Sequence, residues 1–204
     1  MLYYEKKAKD KGFSFIIGVD EVGRGPLAGP VVAAAVRLKQ TKFHNYINDS
    51  KKLSSLQRER AYLEIFQKSI VGIGIINESI IDAINILNAT KLAMERAITN
   101  LIYSSKRKIN KNKVILLLDG NLSLSLPFHS KSIIGGDGKS LSIAAASIVA
   151  KVTRDRIMSI YDKIYPKYRF LTHKGYGTKE HFRAIKKHGS CSIHRMSFYP
   201  LSEI

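Results

Sequence analysis

The sequence predicts an α/β fold: a central sheet flanked by helices and followed by a helical C-terminal region. Three observations predict it. Short apolar, β-rich runs recur at 13–19, 30–36, 70–76, 114–118 and 130–134. Longer segments between them carry apolar residues at helical spacing. The run 114–118 (VILLL) is apolar at every position, as parallel strands buried on both faces are. Strands that alternate with helices in this way imply an α/β sheet.

Residues 1–12 read as a short polar leader with helical character. The first strand, 13–19, ends at Asp20-Glu21 and gives way to a turn-rich stretch, 23–30 (GRGPLAGP). Residues 30–36 (PVVAAAV) read as a second strand returning from that loop. A helix spans 51–69, with Ser54 as a candidate cap and Leu53, Leu56, Tyr62, Leu63 and Phe66 near helical spacing. A third strand covers 70–76. Helix 80–103 draws its apolar face from Ile84, Leu87, Leu92, Met94 and Ile98, with an interruption expected at Asn88-Ala89-Thr90. After the 114–118 strand come a shorter strand at 130–134 and the turn Gly135-Gly136-Asp137-Gly138. Residues 140–160 form an Ala-rich helix able to pack closely on a sheet. The tail holds a basic helix at 179–187. The predicted arrangement is a single domain over 1–204, with an α/β core at about 13–160 and a helical substrate-binding extension at about 161–204.

A chain of 204 residues suits one medium domain, since domains usually run to about 100–200 residues. With 45% hydrophobic and 25% charged residues it reads as globular. Its 34 Lys and Arg against 16 Asp and Glu give a net charge of +18, which favours polyanions as partners. A lone cysteine, Cys191, excludes an internal disulfide framework and a Cys-rich zinc site and fits a reducing cytoplasm. The N-terminal stretch lacks the apolar core of a signal peptide, and no run approaches the ~18 apolar residues of a membrane span. The expectation is a cytoplasmic protein with no membrane partner.

Against this excess of positive charge, four of the 16 carboxylates fall at strand ends or glycine turns: Asp20, Glu21, Asp119 and Asp137. Sites in open α/β sheets gather at the carboxyl ends of strands, and adjacent strands lie about 4.8 Å apart. Three distant segments can therefore bring four acids together. Clustered carboxylates repel one another, and hard cations such as Mg²⁺ relieve that repulsion. Two such ions can clamp an in-line phosphoryl displacement. Spacing alone leaves separate roles open, as a cap, a turn aspartate or a surface ion pair.

The stretch VDEVGRGPLAGPVVAAA at 19–35 resembles the N-terminal signature of ribonuclease HII, the type 2 ribonucleases H. The resemblance continues at DSKKLS (49–54), LDGN (118–121), Gly136-Asp137, AASIVAKVTRD (145–155), HKGYGT (173–178) and His194-Arg195, in family order over about residues 14–198. It implies an RNase H-like fold with a mixed sheet and a helical C-terminal extension. It implies cleavage of RNA in RNA–DNA hybrids and incision 5′ of single ribonucleotides in duplex DNA, leaving 3′-hydroxyl and 5′-phosphate ends. A role in removing ribonucleotides from DNA follows. By motif, Asp20, Glu21, Asp119 and Asp137 become the catalytic, metal-binding acids for two Mg²⁺ or Mn²⁺ ions. Gly23, Arg24 and Gly25 match a loop whose backbone reads the ribose 2′-hydroxyl, the group that separates RNA from DNA. Tyr176 matches a tyrosine that stacks on the sugar 3′ of the ribonucleotide, and Lys51 a contact to the substrate backbone. Asp155 is read as supporting its helix through Arg154 or Arg156.

Four histidines, His173, His181, His188 and His194, are spaced by 8, 7 and 6 residues, which is not the i, i+4 pair of a zinc helix. They are expected to be polar or phosphate-contacting. Lys179, Arg183, Lys186 and Lys187 can ride along a duplex backbone or form a solvated face. Residues 38–48 and 104–113 match no motif and read as variable surface. The chain is expected to act as a monomer. The terminal PLSEI lacks the glutamine and paired aromatics of a sliding-clamp motif. Two rival readings are a type 1-like ribonuclease H that needs a run of ribonucleotides and a non-enzymatic basic RNA-binding protein.

Overall fold

The computed structural model describes residues 1–105 and 109–203. Strands β1 (Phe15–Val22), β2 (Val31–Leu38), β3 (Ser69–Ile76), β4 (Val114–Asp119) and β5 (His129–Ile133) form one mixed sheet in the order β3-β2-β1-β4-β5. β1 runs antiparallel to β2, and β2 to β3; β1 and β4, and β4 and β5, are parallel. The helices are α1 (Tyr3–Asp10), α2 (Ser55–Lys68), α3 (Glu78–Ser104), α4 (Leu141–Ile164), α5 (Phe170–His173) and α6 (Lys179–His188). Among the described residues no helix is long and apolar enough to cross a membrane.

Strand alternation divides the core between two faces. Phe15, Ile17 and Val19 of β1 join Val114, Leu116 and Leu118 of β4 in a cluster with α3. Ile16 of β1 and Ile115 and Leu117 of β4 turn the other way, toward Ile143 of α4. α4 lies so close over β1 that a methyl group at Gly18 would occupy the backbone of Ser142 and Ile143. The alanines at 144–146 and Ala150 make the same approach over the second layer, beside α2.

Several boundaries differ from the sequence expectation, each for a local reason. β1 continues through Asp20 and Glu21 because β2 pairs with both, at Ala34 and Ala33. The break in α3 falls at Asn85 (φ 64°), where the Asn85 side chain accepts from the Asn88 N–H at 3.1 Å and starts the second segment, three residues before the expected interruption. Ser54 caps α2 in a reciprocal capping box with Gln57. Three of the five apolar residues at helical spacing nevertheless point outward, while Leu53 is buried and Tyr62 half-buried. Leu56 and Leu63 are 61% and 60% exposed and Phe66 is also exposed, whereas Ala61, Ile65 and Glu64 are buried.

Glu64 also corrects the view of 38–48 as plain surface. Its carboxylate accepts from the N–H groups of His44 (2.7 Å) and Asn45 (2.8 Å) and pairs with Lys68. Ile47 of the same segment is buried. The segment 104–113 includes 106–108, outside the described residues; its end forms a turn, Lys111–Lys113, capped by Asn110.

The region after α4 packs around its own cluster of Tyr168, Phe170, Ile185 and Ile193. Three of the four histidines lie inside it, which favours the polar over the phosphate-contacting alternative for them: His173, His181 and His194 are buried and hydrogen-bonded, and His188 alone of the four is exposed. His173 and His181 stack at 4.4 Å between ring centres. Hydrogen bonding assigns their tautomers. His181 Nδ1–H donates to the Tyr176 carbonyl (3.0 Å), so His181 Nε2 accepts from His194 Nε2–H (3.1 Å). His194 Nδ1 is then free to accept the Cys191 N–H (2.8 Å). In this assignment the His181 and His194 rings are both neutral. Burial, with His173 and His194 nearby, pushes the His181 pKa down to about 4.

A depressed histidine pKa stabilises the fold above the ordinary value and loses that contribution as pH falls toward the folded one. Thermal melts should therefore show stability declining between about pH 6.5 and about 4. His181→Gln should be less stable at neutral pH by ~1–3 kcal/mol, with a shallower acid slope. An acid slope as steep in His181→Gln as in the wild type would contradict the neutral network.

Candidate active site

Asp20, two residues before the end of β1, and Asp119, the last residue of β4, stand on neighbouring parallel strands. Val19 pairs with Leu118, so the two aspartates stand side by side one residue later. Both continue the side of the sheet that faces α4, in phase with Ile16 and Gly18 on β1 and with Ile115 and Leu117 on β4. Asp137 arrives from the turn Gly136–Gly138 beyond β5, the next strand over. One carboxylate oxygen from each of Asp20, Asp119 and Asp137 lies within 4.8 Å of the others. Asp119 is oriented by the Gly136 N–H, which donates to its Oδ1 at 2.6 Å.

Glu21 flanks this trio. Alternation directs it toward the α3 side with Val19, and its carboxylate meets Arg24 at 3.6 Å. Its pKa is raised by burial; Arg24 opposes that effect, and Asp119 adds to it. Asp20 is buried, and its pKa is raised well above the usual range by burial first, then by Glu21 and Asp119. The Glu21 N–H (2.7 Å) and Ser147 of α4 offset part of this. Asp137 is raised by burial, then by Asp119 and Asp49. An all-oxygen set of three carboxylates under such strain suits a hard divalent cation. A cleft of about 1160 Å³ at the opposite end of the sheet, lined by Glu5, Arg37, Ser69 and Lys113 among others, contains none of the four acids.

The glycine loop lies beside them. Gly23 has φ +96°, and a methyl group there would run into the Arg154 side chain. Gly25 has open space, with Tyr176 Cε1 3.8 Å from where its Cβ would stand. Tyr176 is 42% exposed. Lys51 is exposed and close enough to Asp137 to oppose the rise in its pKa.

The sequence model of the family described as Ribonuclease HII matches residues 17–200. The chain belongs to the ribonuclease HII family. It is an enzyme of the ribonuclease H group, which are metal-dependent nucleases. The ribonuclease HII of Acetivibrio thermocellus is 55% identical over 199 residues, covering 97% of this chain and 75% of that protein. Among solved structures, the ribonuclease HII of Archaeoglobus fulgidus in complex with PCNA matches with a TM-score of 0.69 at 22% identity, over 93% of this chain and 100% of that one. The Bst ribonuclease HIII in complex with Mn²⁺ matches with a TM-score of 0.71 at 18% identity, over 96% and 71%. At these identities the two structures establish the common fold.

Within this ribonuclease HII chain the residues singled out by sequence fall into one region: the acid trio with Glu21 beside it, the 23–25 loop, Tyr176 and Lys51. Asp155 does not pair with either arginine; it accepts from Lys151 at 2.9 Å, one turn away on α4. Two residues were missed. Asp49 contacts Asp137 carboxyl to carboxyl while also accepting from the Lys51 N–H at 2.9 Å. Ser147 reaches Asp20 and bonds the Ser50 hydroxyl at 2.8 Å. Both stand in the motif blocks DSKKLS and AASIVAK, and the signal was a polar residue inside each block without an assigned role.

The raised Asp20 pKa has a sign consequence. Folded Asp20 favours its proton, so its own contribution to metal-free stability is fully present below the ordinary carboxylate pKa and is lost as pH rises through the elevated value. In metal-free buffer at neutral pH, Asp20→Asn should melt higher than the wild type by roughly 2–4 °C. Divalent metal should raise the wild-type melting temperature and leave the variant's nearly unchanged. A variant that melts lower than wild type without metal would show that the acids do not strain the site.

Proposed function

We propose that the protein is an endoribonuclease that cuts the RNA strand of RNA–DNA hybrids and incises 5′ of single ribonucleotides embedded in duplex DNA. The products carry 3′-hydroxyl and 5′-phosphate ends, and the cellular role is removal of ribonucleotides from DNA in the cytoplasm. The observation that carries this reading is the convergence of Asp20, Asp119 and Asp137 within 4.8 Å, next to a glycine loop and an exposed tyrosine. The rival reading as a basic RNA-binding protein gives no reason to bury like charges together.

Asp20, Asp119 and Asp137, with Glu21 beside them, would hold Mg²⁺ or Mn²⁺. When bound, such ions activate water and neutralise charge on the phosphate and on the leaving oxygen. The chain's own groups do the rest. The Gly136 N–H fixes the orientation of Asp119, and the Glu21 N–H that of Asp20. Lys51, beside Asp137, meets a substrate phosphate. The backbone of Gly23, Arg24 and Gly25 reads the 2′-hydroxyl. Tyr176 stacks on the sugar 3′ of the ribonucleotide. Lys179, Arg183, Lys186 and Lys187 are all exposed on α6 and offer a salt-sensitive track for the duplex backbone.

The protein acts on this substrate as a monomer. A clamp contact of the kind made by the Archaeoglobus protein would not use Leu201, which is buried in the turn Leu201–Glu203.

A duplex with one ribonucleotide, incubated with and without metal, tests the reading. Asp20→Asn and Asp119→Asn should each lose more activity than the ~100-fold typical of groups that merely support metal ligands, with duplex binding retained. Tyr176→Ala should cut the rate at isolated ribonucleotides about tenfold, within the range for loss of one stacking contact. Cleavage confined to runs of ribonucleotides, incision on the 3′ side, or full activity in either aspartate variant would overturn the assignment.

A further inference from the structure

Two arginines lie under the glycine loop, both with no solvent exposure. Neither makes an ion pair among the described residues. Burying a guanidinium without an acid is costly, so its donors must be well used. Arg154 donates to the carbonyls of Pro30 (2.9 Å), Ala28 (3.1 Å) and Lys174 (2.9 Å). Arg195 is given over to the loop itself. Its Nε donates to Gly29 O at 2.9 Å and its Nη1 to Arg24 O at 3.0 Å. Its Nη2 donates to both Gly23 O and Gly29 O at 2.6 Å, and its backbone N–H to Leu27 O at 2.8 Å.

The peptide bond is planar and trans, so each carbonyl points opposite to the N–H of the following residue. When Arg195 draws the Gly23 and Arg24 carbonyls inward, the N–H groups of Arg24 and Gly25 must face outward. Neither bonds to an acceptor among the described residues. Two successive outward donors form a small concave site for an oxygen ligand. They open beside Tyr176, and the Arg24 side chain ties the same loop to Glu21.

We propose that Arg195 is the positioning residue for sugar recognition: its buried guanidinium fixes the peptide planes at 23–25 so that the Arg24 and Gly25 N–H groups meet the ribose 2′-hydroxyl. This rests on the reading of the loop as the 2′-hydroxyl reader. Arg195 touches no substrate. A lysine is a poor replacement, because its donors all sit on one nitrogen whereas Nε, Nη1 and Nη2 of Arg195 reach separate carbonyls along a planar fork. Burial lowers the Arg195 pKa to about 9, which leaves it charged at neutral pH.

The test is binding without metal, so that no cleavage occurs. Affinity is measured for a duplex with one ribonucleotide and for the same duplex in all-DNA form. Wild type should prefer the ribonucleotide duplex. In Arg195→Lys the ratio of the two affinities should fall about tenfold, the loss of two hydrogen bonds, with all-DNA affinity unchanged. A merely structural role would weaken both duplexes equally, and that result, or an unchanged ratio in folded Arg195→Lys, overturns the proposal. Gly25→Ala separates the two levels. If it leaves the preference intact, the loop does not read the sugar and the underlying reading fails. If it abolishes the preference while Arg195→Lys keeps it, only the role of Arg195 fails. Amide exchange in the wild type covers the case in which Arg195→Lys does not fold. The Arg24 and Gly25 amides should exchange freely in the free protein and become protected by the ribonucleotide duplex. Protection already present in the free protein overturns the proposed geometry.

Discussion

Parallel pairing between β1 and β4 decides where negative charge collects in an otherwise strongly positive molecule. Because Val19 lies opposite Leu118, the next residues on the two strands are both aspartates on the same face. Nothing about either strand alone favours that meeting; VILLL would be as stable ending in an uncharged residue. The cost is accepted on a rigid base. β1 is paired on both sides, α4 covers the shared face and α3 the opposite one. Burial first, and the neighbouring acids second, therefore raise the pKa values of Asp20 and Asp137.

Much of this was legible in the sequence. All five strands and the long helices follow from period and composition, since VILLL and SIAAASIVA allow few other readings. The acids were found from their places at strand ends and turns. The misreadings share a cause. Periodicity says which residues lie on one stripe but not which stripe is inside. On α2 the alanine and isoleucine side won because Glu64 is needed inward, to hold the N–H groups of His44 and Asn45. The buried place of the histidines was missed for a similar reason: spacing in sequence does not reveal that His173 stacks on His181, or that His181 and His194 pack against Phe170. Asp49 was missed because its contact with Asp137 joins two loops far apart in the chain, and no local pattern signals that.

Buried polar chemistry links parts of the site that the sheet does not reach. The Tyr176 carbonyl is held by His181, His181 by His194, and Arg195 follows directly in the chain to gather the carbonyls of the glycine loop. Leu27 N–H closes the circuit on Gly175 O at 2.8 Å. The tyrosine and the loop are thus set relative to one another by neutral and cationic groups, while the acids are set by the sheet. Two supports therefore converge on the region of the acids and the glycine loop, and acid weakens the histidine one.

The contact at Gly18 has a consequence for how the chain can change over time. With α4 lodged against that one position, β1 is indexed like a shaft seated on a key, and its phase cannot drift. A one-residue insertion between Gly18 and Asp20 would hand each acid the other's side of the sheet. Length is thus frozen over this short stretch. Descendants of this chain can vary widely in size and surface, provided they keep count over those few residues.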